Sequence, residues 1–336
     1  MLLVRSMPLD KVEKMCDALQ YAIELEHATI PPYLTALYSL DPIKNSAIAA
    51  LIDGIVFQEM QHMALAANML NAIGGEPDID RPDFIPKYPG GLPFHIGDRN
   101  GKQFDVPLQR FSLECVENVF MRIEEPDDPI VFPTDTRMFA LVQQKYRTIG
   151  DFYQAVRAAL KPEWFTGDRS RQVQGIVKPV YTLADAQAAV DLIVQQGEGT
   201  TTSPLAGMGS QLAHYYRFAE ILHQHTLVPD DSVQEKYSYS GAPIPFDATG
   251  VLPITANPSS GIYRPGSKER VESDLFNQIY SNMLRALHIT FNGEPTYLNT
   301  AVGLMFDLKL QAIKLMNMPL STDPSTNAAP CFEYVA

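Results

Sequence analysis

The sequence predicts an all-α protein, a four-helix bundle split by a long irregular insertion. Two observations carry this. Apolar residues recur at helical spacing in two pairs of segments, each pair joined by a short turn or loop. Between the pairs lies a Pro- and Gly-rich stretch with no helical period, which reads as one bundle interrupted by an insertion.

The first helix is expected within residues 8–40, opened by Pro8, since a first turn tolerates proline. Pro31 and Pro32 fall inside this pattern and should kink or interrupt it. After the turn DPIKNS a second helix runs from about Asn45 to Ile73 and stops at Gly74-Gly75. Residues 76–110 are the irregular insertion, long enough to suggest a lid or pocket element. Extra helices follow in about 111–122 and 135–160. A third bundle helix spans 182–199, with Thr182 and Asp185 as its cap region. The fourth is SQLAHYYRFAEILHQH, residues 210–225. Residues 226–266 read as loop, and two last helices at about 267–291 and 293–317 meet at Asn292-Gly293. The expected domains are a bundle over 1–225 and a C-terminal helical extension over 226–336 that packs on it.

Hydrophobic residues make up 46% of the 336 and charged ones 19%, an ordinary globular balance. The net charge of -13, with no basic cluster, argues against a nucleic-acid partner. No apolar run reaches the ~20 residues that cross a bilayer, so no membrane partner is expected. MLLVRSMPLD lacks the apolar core of a signal peptide, and Cys16, Cys115 and Cys331 are scattered and odd in number. A reduced, cytoplasmic protein is expected.

The chemistry is carried by polar residues on apolar stripes. In helix two, Ile48, Ile52, Ile55, Glu59, His62, Ala66, Met69 and Ile73 share one face. Glu59 and His62 therefore point into the core, where an uncompensated carboxylate is costly. Glu-x-x-His at this spacing sets both groups on one face, as a metal site requires. In helix one, Glu26 alone interrupts the stripe of Leu19, Ala22, Ile23 and Ile30, whereas Glu24 and His27 are expected on the wet face. Glu26 lies 17 residues before the turn centre at residue 43 and Glu59 lies 16 after it, so antiparallel pairing brings them level.

The second half of the site admits more than one reading. Glu198 ends the third helix between two glycines that permit close approach. Measured from a turn near residue 204, His214 is offset from Glu198 by ~6 Å along the bundle and Glu220 by ~15 Å. Straight helices favour His214; a distorted continuation after Glu198 readmits Glu220 and His223, the second Glu-x-x-His. Gln211 is placed to hydrogen-bond near His214. His223 reads as part of a polar helix end, Asp191 as a surface acid, and His95 and His288 as structural or exposed.

AIELEHATIPPYLTALYSL, EMQHMALAANMLNAIGGEP, IVQQGEG and AHYYRFAEI, with KYPGGLP in the insertion, resemble the ferritin-like domain of the iminophenyl-pyruvate dimer synthase group. That domain occurs in an enzyme of the violacein pathway, in its indolocarbazole relatives and in stand-alone proteins. The resemblance covers most of residues 8–225. It implies a ferritin-like fold and a carboxylate-bridged di-iron or similar site, with Glu26, Glu59 and His62 matching its first half and Glu198 its second. The span from Glu26 to Glu59 is 59 − 26 = 33 residues and that from Glu198 to Glu220 is 220 − 198 = 22, a departure from the usual pattern. A mononuclear site of Glu26, Glu59, His62, Glu198 and His214 thus stands beside a dinuclear one that includes Glu220. Iron is the expected metal, with manganese or another divalent ion as substitute. The expected activity is a metal-dependent oxidoreductase acting on a small aromatic or amino-acid-derived metabolite. The alternative is a non-catalytic, ferritin-type metal-sequestering protein. Homo-oligomerisation is left open.

Overall fold

A computed structural model describes residues 8–93, 103–126, 149–199, 203–206 and 211–336. Eight helical elements organise these residues. They are α1 (Val12–Tyr38), α2 (Ser46–Ala72), α4 (Ile149–Ala159), α5 (Leu183–Gly197), α6 (His214–His223), α7 (Lys268–Phe291), α8 (Leu298–Met316) and a composite α3. α3 joins Leu113–Cys115, a π-helical turn Val116–Phe120 and Met121–Ile123. Among the described residues, strands are limited to two short antiparallel pairs, Gly90–Gly91 with Asp105–Val106 and Val228–Pro229 with Tyr237–Ser238. The all-α expectation holds. No helix among the described residues is long and apolar enough to cross a membrane.

α1 runs through Pro31 and Pro32 without interruption. Pro32 cannot donate to the Ala28 carbonyl, which would strand a buried acceptor. Tyr88, from the insertion, donates its hydroxyl to that carbonyl at 2.8 Å. A side chain thus replaces the missing ladder bond. α2 ends as its glycines suggest: Gly74 takes φ +83°, and the Gly75 amide donates to Leu70 O at 3.0 Å. α5 opens on a capping box in which Thr182 and Asp185 satisfy each other's backbone amides. α6 begins only at His214, because the chain before it is held extended: the Ala213 amide donates to Pro204 O at 3.0 Å.

The antiparallel α1–α2 hairpin is the spine. One side meets α3, α4, α5 and α6; the other is covered by the α7–α8 hairpin and the insertion. This second layer corrects the expectation of a wet face on α1. His27 is buried, its Nε2 is 2.6 Å from the Tyr280 hydroxyl, and its ring lies 4.5 Å from Phe84. Glu24 is buried too and pairs with Arg81 at 2.5 Å. The stripes of α1 and α2 imply one partner layer, and two exist. Within the expected helix 135–160, residues up to 148 fall outside the described ones, as does His95. His288 is half-buried, close to the Ile79 amide.

Candidate metal centre

Glu26 from α1 and Glu59 and His62 from α2 form one group, with one ligand atom from each residue lying within 4.8 Å of the others. Glu59, Glu124 and His214 form a second group of the same kind, so Glu59 belongs to both. All five residues are buried, His214 completely and His62 to 1% exposure. The π turn delivers Glu124. Met121 N donates five residues back to Val116 O, and Glu124 closes the helix immediately beyond. Such wide turns recur at functional sites because they rotate the side chains beyond them.

The two histidines are oriented by amides. Gln58 Oε1 lies 2.7 Å from Arg217 Nη1 and 3.0 Å from His214 Nε2. An arginine only donates, so the Gln58 atom it meets is the oxygen, and His214 must present an N–H at Nε2. Its Nδ1 then carries the lone pair when the ring is neutral. That Nδ1 sits 2.7 Å from Glu59 Oε1 and 3.5 Å from Glu124 Oε2, yet makes no hydrogen bond of acceptable geometry. His62 repeats the arrangement: Nε2 is 2.7 Å from Gln196 Oε1, and Nδ1 is 3.4 Å from Glu26 Oε2. A buried imidazole nitrogen ringed by carboxylate oxygens and left without a hydrogen bond is the donor set that a divalent cation satisfies.

The carboxylates are pinned from outside. Tyr153 donates to Glu26 Oε1, Tyr33 to Glu124 Oε1 at 2.5 Å, and Thr29 to Glu59 Oε2 at 3.3 Å. Burial, with Glu124 and Glu26 alongside, pushes the Glu59 carboxyl well above the usual range. Burial also opposes ionisation of Glu26, but its contacts with His62, Glu59 and Tyr153 together outweigh this and hold it below the usual value. The His62 imidazolium is disfavoured by burial, yet Glu26 and Glu59 together raise its pKa. The metal-free cluster therefore retains protons that a cation would replace.

A cavity of about 40 Å³ opens on this cluster, lined by Glu26, Glu59, His62, Glu124, Tyr153 and Glu198 among others. None of the described residues of the 76–110 insertion lines it, so a lid role for that segment finds no support in the cavity wall. Glu198 borders the cavity but belongs to neither ligand group. Its Oε1 accepts from the Gly150 amide at 2.8 Å, and a Cβ on Gly150 would sit 2.3 Å from Oε2. Glu220 is not brought to the cluster. It is buried on another face of α6, accepts from Leu227 N at 2.8 Å and lines a separate pocket beside Arg217. His223 stacks on Tyr239 with centroids 4.1 Å apart. Gln211 enters the network from outside, accepting from Gln58 Nε2 at 3.2 Å.

Sequence reasoning misses Glu124. It stands in the acidic run IEEPDDP just past a helical pattern, with no hairpin partner from which to count its level. The available signal is its position four residues after Phe120 and one after Ile123, both apolar.

Comparison with known proteins agrees with this architecture. The chain aligns over its whole length with the crystal structure of a ferritin-like protein from Caulobacter vibrioides. The TM-score is 0.62 at 23% identity, covering 99% of this chain and 100% of that one. That likeness establishes the fold. No curated protein matches the chain. The ferritin-like family profile matches residues 19–223, which include Glu26, Glu59, His62, Glu124 and His214. The chain is a member of the ferritin-like family.

Proposed function

We propose that the chain is a metal-dependent oxidoreductase with a dinuclear centre. Glu59 would be shared by two ions, Glu26 and His62 would hold one, and Glu124 and His214 would hold the other. The observation that carries this reading is the His214 Nδ1, buried among carboxylate oxygens without a hydrogen bond. Iron suits the carboxylate and imidazole donors, with manganese as a substitute, and supplies redox chemistry toward dioxygen or peroxide. The protein's part is orientation. Gln58 and Gln196 fix the two imidazoles, and Tyr33, Tyr153 and Thr29 fix the three carboxylates. The cavity admits water or a diatomic molecule, since one water needs only ~10–15 Å³ of this kind of space. Glu198 on its wall is placed to accept or return a proton. A small aromatic or amino-acid-derived substrate follows from the resemblance to the iminophenyl-pyruvate dimer synthase group.

Membership of the ferritin-like family favours metal sequestration as the second reading, which calls for a many-subunit shell.

Metal counting by plasma mass spectrometry tests the centre. Two ions per chain are expected after anaerobic iron loading, falling to one in Glu124→Ala. No bound metal in the wild type would remove the proposal. Particle size separates the two readings, because a storage shell sediments far ahead of a small oligomer.

A further inference from the structure

We infer that the outer face of α8 is a self-association surface and that its occupant is a second copy of this chain. Val302, Phe306, Leu310 and Ile313 recur at helical spacing along that face. Phe306 and Leu310 are each 67% exposed, and they adjoin Val302 and Ile313 on one stripe rather than standing singly. The inner face of the same helix is fully committed: Ala301, Leu308, Ala312 and Leu315 are buried against the protein. α8 is therefore apolar on two sides, and only one has a partner among the described residues.

Beside the stripe runs a groove of about 610 Å³ between α8 and the α1–α2 turn. Leu37, Leu40, Ala49 and Ala50 line it, with Ile313 and Asn317 of α8 itself. The turn adds Ile43, which is 86% exposed. Projecting side chains and a groove to receive them thus occur on one surface, about 10–15 Å apart along the helix. A two-fold axis perpendicular to α8 makes such a surface complementary to itself.

Charge selects the register. Asp307 has no partner among the described residues. On the same flank two turns later stands Lys314, half exposed, whose ammonium holds Glu272 at 2.7 Å and has further donors to give. Antiparallel pairing of Asp307 with the partner's Lys314 forms two equivalent ion pairs. It also sets Phe306 level with the partner's Leu315, hence between the partner's Ile313 and the partner's Asn317, at the groove. The exposed parts of Ile43, Val302, Phe306, Leu310 and Ile313 amount to roughly 500 Å² per copy, so two copies reach the ~1,000 Å² that a specific interface needs.

Sedimentation velocity on the full chain at micromolar concentration tests this. A dimer is expected, weakened at least tenfold by Phe306→Asp; that side chain is mostly exposed, so the fold survives, as circular dichroism will check. Asp307→Lys should weaken the dimer. A monomeric wild type would overturn the proposal, whether or not the stripe then binds lipid vesicles or another protein. An oligomer that persists in Phe306→Asp would overturn it equally.

Discussion

Glu26 and His27 are neighbours in sequence and lie on opposite sides of the same helix, and both are buried with polar company. On the His27 side no carboxylate crowds the ring. Its Nε2 meets the Tyr280 hydroxyl, its Nδ1 is buried without a hydrogen bond, and Phe84 packs against it. Burial depresses the His27 pKa to about 3. On the Glu26 side three carboxylates and two imidazoles converge, and protons must be retained to make the cluster tolerable. Burial of polar atoms is common to both. An excess of like charge marks only the second, and that excess distinguishes a place built for a cation from a place built for stability.

The contrast can be broken most directly at Glu59. Glu59→Gln should abolish metal binding, measured as ions per chain, because the shared ligand is gone. The same change should stabilise the metal-free protein at pH 7. A carboxyl whose folded pKa is raised loses stability as pH rises above its unfolded value of about 4.3, by up to ~1.4 kcal/mol per unit. A neutral amide escapes that loss, so a gain in stability is expected in denaturant titration. A loss instead would mean that the carboxylates are not crowded.

Manganese, as a cation with little redox activity in this setting, should raise the thermal midpoint of the wild type. The stabilisation is about 2.7 kcal/mol at a hundredfold excess over Kd, and Glu59→Gln should show none of it.

At His27 the pH slope runs the other way. A base with a depressed folded pKa contributes its full stability above the unfolded value of ~6.5. That stability drains as pH falls toward about 3. Between pH 6.5 and pH 5 the loss is about 2 kcal/mol, and His27→Gln should flatten the curve over that interval. The smallest effect is expected at Glu220: Glu220→Gln should leave the metal count unchanged, since its carboxylate serves the Leu227 amide.

Much of this centre is legible in the sequence, for specific reasons. Glu26 and Glu59 flank one short turn, so counting residues from it places them level, and the helices are regular enough for the count to hold. The same counting makes His214 rather than Glu220 the partner of Glu198; the structure instead sets His214 against Glu59 and Glu124 and leaves Glu198 outside both ligand groups. Counting fails where regularity fails. Glu124 follows a π turn, so no count from a hairpin turn reaches it. The covering of α1 by the C-terminal hairpin is hidden for another reason. A helix buried on both sides reads from sequence as amphipathic with a few odd polar residues, and Glu24 and His27 then read as solvent-facing.

The π turn at Val116–Phe120 bears on how such a centre is gained and lost. It holds one more residue than a regular helical turn, and each residue rotates the chain beyond it by about 100°. Deleting any one of these five residues would restore the regular ladder and swing Glu124 away from His214. No ligand would have been replaced. If Glu124 and His214 hold a second ion as proposed, one inserted codon would separate a centre with one metal position from a centre with two, with every candidate ligand unchanged.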